Sequence, residues 1–85
     1  MKVQIGKFGG KIEVTVLYPG KYGWTYAGDV WGDYVKVLEW VDGYWVQIYR
    51  NDDFAAGMFV KEVDYADEVQ VEDIEGGKLV VMKES

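Results

Sequence analysis

The sequence predicts an all-β fold: a small single-domain antiparallel meander over residues 1–85, closed or partly closed into an SH3-like or OB-like barrel. Three observations carry this expectation. Apolar and polar residues alternate with period two almost throughout, as in Ile12, Val14 and Val16 against Lys11, Glu13 and Thr15, the pattern of half-buried strands. Turn-forming residues recur at the spacing of a meander. No apolar helical period persists for three turns. Many short strands in so few residues must hide their edges, and closing a bent sheet does so economically.

The elements follow in order. Gly6 to Gly10 separates a first strand, Lys2–Ile5, from a second, Lys11–Tyr18. Pro19 to Gly23 then leads into Trp24–Trp31, and Gly32 with Asp33 into Tyr34–Val41. The dipeptide Asp42–Gly43 suits a type I′ hairpin turn, joining Tyr34–Val41 to Tyr44–Arg50 and placing Trp40 opposite Trp45. From Asn51 to Gly57 the expectation is a loop with at most one short helical turn near 52–57, capped by an acidic side chain and plugged by Phe54. Met58–Val63, Val69–Ile74 and Lys78–Lys83 complete the meander, with Glu75 to Gly77 as the last turn.

Composition narrows the function. With 85 residues, no cysteine and no histidine, the chain has neither disulfides nor the thiolate and imidazole ligands of zinc. It also lacks the side chains of nucleophilic triads. A carboxylate pair in a cleft is the one economical catalytic device left, and so thin a domain has little volume for the dry pocket it needs; we expect no enzyme, no cofactor and no metal. Absence of cysteine points to a reducing, cytoplasmic setting, the host cytoplasm if the protein is viral. No apolar run is long enough for a secretory signal or a membrane span.

Charge divides the chain. The formal net charge is −6, and the segment from Glu62 to Glu75 holds seven acids and no base. Direct nucleic-acid binding is disfavoured by that sign, and a basic protein partner is favoured, a nucleic-acid-binding protein foremost. In Val69–Ile74 the valines point one way and Glu68, Gln70 and Glu72 the other, beside Glu62, Asp64 and Asp67. The candidate acidic face is therefore Glu62, Asp64, Asp67, Glu68, Glu72 and Asp73. Same-face residues on a strand recur every ~6.6–6.8 Å, close to the spacing of successive phosphates, so such a ladder can occupy a groove meant for DNA or RNA. Its bland reading is a solvated strand that keeps the sheet edge soluble.

Aromatics form the second signal. Ten of the fourteen, including all four tryptophans, lie between Tyr18 and Tyr49, and a small barrel cannot bury them all. Trp24, Tyr26, Trp40, Trp45 and Tyr49 are the candidate stacking residues. The repeated Gly-Lys-aromatic-Gly at Gly6–Gly9 and Gly20–Gly23 reads as hairpin turn chemistry, since a phosphate-clamping Gly-x-x-Gly links helices. Asp52 and Asp53 read as caps, because the ligand ladder of a calcium loop is missing, and Asp29 and Asp33 read as turn formers.

Two functions follow, with a third behind them. The first is a non-enzymatic acidic interaction protein that binds a basic surface, as an inhibitor mimicking nucleic acid in the manner of phage anti-defence proteins. The second is an aromatic-platform module for a peptide, glycan or single-stranded nucleic acid. The third is a small structural or virion component that self-associates through a sheet edge.

Overall fold

A computed structural model describes residues 1–83. Among the described residues the expected alternation produces nine strands: β1 (Lys2–Phe8), β2 (Lys11–Gly20), β3 (Gly23–Gly32), β4 (Tyr34–Trp40), β5 (Gly43–Arg50), β6 (Asp53–Val60), β7 (Glu62–Tyr65), β8 (Val69–Ile74) and β9 (Gly77–Met82). They form two sheets. Sheet A has the order β3-β2-β1-β7 and sheet B the order β6-β5-β4-β9-β8. All pairings are antiparallel except β1 with β7.

Neither sheet closes on itself, where one barrel was expected. The chain instead crosses between sheets three times, at two one-residue corners, Asp33 between β3 and β4 and Lys61 between β6 and β7, and through the turn 66–68 between β7 and β8, the device by which packed sheets exchange strands. Each corner is tied by backbone: Asp33 N donates to Tyr49 O at 2.8 Å and Lys61 N to Met1 O at 2.9 Å. At the first corner only glycine fits at residue 32. A Cβ there would lie 2.5 Å from Ile48 Cγ2 and 2.7 Å from Tyr49 O.

One apolar face of each sheet turns inward. Val3, Ile5, Ile12 and Val14 of sheet A meet Val35, Val37, Val46, Ile48, Val60, Val69 and Val80 of sheet B, and among the described residues no polar side chain is buried with them. Val63 and Tyr65 of β7 pack at the margin; burial pushes the Tyr65 phenol up to about 12. β-Branched residues supply nearly all of this core because they fill a pleated face with little rotamer entropy to lose.

Three expectations change. The stretch 52–57 is not helical: Asn51 and Asp52 adopt φ of 51° and 65°, the pair of left-handed residues that defines a type I′ turn, and Asp53 onward is strand. Phe54 therefore stands opposite Tyr49 and packs edge-on to it at 5.9 Å instead of plugging the core. Second, the 41–43 hairpin turns one residue early, through Val41 and Asp42, so Trp40 faces Gly43 and Trp45 faces Leu38. The expected Trp40–Trp45 pair does not form, because Gly43 is drawn into β5, where the Phe59 ring and Val60 O occupy the place of a side chain. Third, the expected strand Met58–Val63 is divided by the Lys61 corner between β6 and β7.

Candidate interaction face

The solvent face of sheet A gathers side chains that period two alone would separate. Along β2 the outward residues are Lys11, Glu13, Thr15 and Leu17, opposite Phe8, Gly6, Gln4 and Lys2 of β1. On the other side Glu13 pairs with Trp31 and Thr15 with Asp29; beyond a bulge between Val16 and Leu17, Leu17 pairs with Tyr26 and Pro19 with Trp24. The bulge inserts Ala27 and uses Gly28 at a φ of 152°. It switches the outward parity of β3 from even to odd numbers, so Trp24, Tyr26, Asp29 and Trp31 share one face.

Cations hold two of these rings. Lys11 Nζ and the Arg50 guanidinium each lie 3.9 Å from the Trp31 ring centroid, and Lys2 Nζ lies 4.7 Å from that of Trp24. Arg50 Nε also donates to Trp31 O at 2.9 Å, which docks the β5 end against the β3 edge. Tyr26 remains 60% exposed, and its hydroxyl donates to Asp29 Oδ1 at 2.7 Å. Asp29 and Glu13 are neighbouring carboxyls. The hydrogen bond between them, reinforced by partial desolvation and by like charge, raises the Glu13 pKa. Donation from Tyr26, and then from Glu13, lowers that of Asp29. The two shifts run in opposite directions, as they do when two carboxyls share a site.

Two open depressions meet at Glu13. One, of about 370 Å³, runs past Gln4, Thr15 and Asp64 to Glu68; the other, of about 320 Å³, lies between Phe8, Lys11, Asp29 and Trp31. Among the described residues no group of three or more acidic side chains is placed to hold a metal ion, and no helix is long and apolar enough to cross a membrane.

The six acidic candidates divide between the sheets. Glu62 and Asp64 pair with Lys2 and Gln4 on the outer face of sheet A, and Lys2 Nζ approaches Asp64 Oδ2 at 3.5 Å. Asp67 and Glu68 occupy the turn into β8, with Glu68 on the rim of the larger depression. Glu72 belongs to sheet B, where Gln70 Nε2 donates to its Oε1 at 2.9 Å. Asp73 points to the opposite side of β8 and is bound by Lys78 Nζ. Glu62, Asp64, Asp67 and Glu68 therefore lie on sheet A or in the turn that leaves it, with Asp64 beside Lys2, and Glu72 and Asp73 lie apart on sheet B.

The aromatic candidates divide as well. Trp24 and Tyr26 lie on sheet A, whereas Trp40, Trp45 and Tyr49 lie on the outer face of sheet B, where Tyr34 and Tyr49 stack at 4.9 Å. Asp33 holds a corner, its Oδ2 accepting from Asn51 N at 2.6 Å, while Asp29 stands in a strand and not in a turn. Sequence reasoning missed Glu13, Asp29 and Trp31 as site residues; Gly28 inside an alternating strand was the signal for the bulge that assembles them.

The fold and this face define a class, a two-sheet all-β domain with an aromatic and acidic solvent face. The sequence matches no family model, no curated protein and no solved structure.

Proposed function

We propose that this chain is a non-enzymatic interaction protein that presents the solvent face of sheet A to a basic surface of a protein partner. One observation carries the reading: Glu13, Asp29, Glu62 and Asp64 share that face with Trp24, Tyr26 and Trp31, while two of the lysines near it, Lys2 and Lys11, lie over indole rings and Lys7 lines the larger depression. A partner's arginine suits such a surface, because a guanidinium stacks on a ring with its plane and pairs with a carboxylate through its edge. Competition with nucleic acid for the partner follows from the charge, with Glu62, Asp64, Asp67 and Glu68 as the part that imitates a phosphate run. An inhibitor acting in the host cytoplasm is the biological setting this chemistry suits.

The test is a titration with arginine-rich peptides at low and high salt. Charge-led docking weakens steeply with salt, Asp64→Lys reduces it, and Glu72→Lys on the other sheet leaves it nearly intact. Equal losses from those two variants, or affinity indifferent to salt, would remove this reading. A second reading, glycan recognition, draws on the exposed Tyr26 ring beside the Glu13–Asp29 pair, which offers a sugar both a stacking surface and acceptors for its hydroxyls. Oligosaccharide binding that persists in high salt and disappears in Tyr26→Ala would select it.

A further inference from the structure

Trp31 carries two cations, and they are held differently. Arg50 lies 3.9 Å from the ring centroid and is anchored, its Nε donating to Trp31 O at 2.9 Å. Lys11 Nζ lies equally close, but of the two only Lys11 lines the depression of about 320 Å³ that the ring shares with Phe8, Glu13 and Asp29. Among the described residues neither Lys11 nor either carboxyl makes an ion pair. An exposed ammonium therefore stands on the ring while two carboxyls in the same depression lack a cation.

Geometry explains why one lysine cannot serve both. Its charge is compact and carried on a flexible stem, so over the ring it is out of ion-pair reach of Glu13 and Asp29. A guanidinium can do both at once, its plane stacking on an indole while its edge donates in a fork to a carboxylate. Asp29 is ready to accept: the Tyr26 hydroxyl donates to it at 2.7 Å, and that bond, followed by donation from Glu13, lowers its pKa and keeps it charged.

We infer that this depression is an arginine site, in which a partner's guanidinium replaces the Lys11 ammonium on Trp31 and pairs with Asp29 and Glu13, with its stem along the exposed Phe8 ring. Lys11 is a tethered occupant that swings into solvent when displaced. The exchange selects arginine, because an incoming lysine would replace like with like and gain no carboxylate. As the contact point of the proposed function the site rests on that reading for the source of its arginine; the chemistry around Trp31 is independent of it.

Titration of the whole chain with N-acetylarginine amide, followed by proton NMR, tests the site. In the free chain the Lys11 ε-methylene protons should lie upfield, shielded by the Trp31 ring, and at saturation they should return to ordinary lysine positions. N-acetyllysine amide should bind several-fold more weakly. Lys11→Gln should tighten arginine binding several-fold, whereas Lys21→Gln, which removes the same charge beside the Tyr22 ring just beyond the far end of β2, should leave it nearly unchanged. Asp29→Asn and Phe8→Ala, both at exposed positions, should weaken it several-fold with the folded spectrum retained. Lys11 protons that stay upfield at saturation, equal effects of Lys11→Gln and Lys21→Gln, or equal binding of the two amides would overturn the inference. Arginine-rich peptides that dock by charge while Lys11 stays on its ring would refute this site and leave the proposed function standing. Displacement of Lys11 by the amide, with no docking of those peptides, would uphold the site and remove that function.

Discussion

Replacing Trp31 by alanine separates what this half-buried ring does for folding from what the more exposed Tyr26 on the same face does. Trp31 is 39% exposed, so about three fifths of its area is covered. Taking a tryptophan at about 250 Å², the covered part is about 150 Å², worth on the order of 4 kcal/mol at about 25 cal/mol per Å². A partly collapsed unfolded chain lowers that to about 2–3 kcal/mol. Loss of the Lys11 and Arg50 contacts at 3.9 Å adds about 0.5–1 kcal/mol each, so Trp31→Ala should cost about 3–5 kcal/mol. Tyr26 is 60% exposed, and the same reasoning gives about 1 kcal/mol for Tyr26→Ala. Urea unfolding followed by far-UV circular dichroism reads the difference as a shift in midpoint at constant slope. Equal costs for the two variants, or less than about 1 kcal/mol for Trp31→Ala, would refute the claim that cations clamp Trp31 into the structure.

Three further outcomes are expected. Ile48 is fully buried between the sheets, and Ile48→Ala should lose about 2–5 kcal/mol, visible as a lowered thermal midpoint. Asp52, at a φ of 65°, should accept glycine at no cost, whereas Asp52→Val should lose about 1–2 kcal/mol by forcing a β-branched residue into the left-handed region; calorimetry on the two variants decides. Carboxyl NMR should find Glu13 titrating above and Asp29 below their ordinary ranges, and in Asp29→Asn the Glu13 midpoint should fall. The signs oppose: a raised Glu13 contributes stability at acid pH that is lost as pH rises through its folded pKa, and a lowered Asp29 contributes stability that is lost as pH falls through its own. A Glu13 midpoint unmoved by Asp29→Asn would show that the two carboxyls do not interact.

The strands were legible because a half-buried strand writes its burial into alternate positions. Val3 and Ile5, Ile12 and Val14, and Val35 and Val37 each announce an inward face before any partner is known. Turns were legible where glycine or proline punctuates the pattern. Less visible was which turn is left-handed: Asp42–Gly43 has the better local chemistry, yet Asn51–Asp52 adopts the conformation, while Gly43 lies in β5 where Phe59 and Val60 O leave no room for a side chain.

By itself the sequence determined an all-β chain, its inward residues, its acidic C-terminal half, and the absence of cysteine and histidine chemistry. Tertiary structure decided which strands are neighbours, and therefore which outward residues share a surface. Pairing of β1 with β7 and of β4 with β9 joins segments distant in the chain, and the Ala27 bulge reverses parity midway along β3. Local alternation reports only that a side chain points away from the core. Which sheet it points away from depends on strand order and register, and these are set by how the two apolar faces fit together.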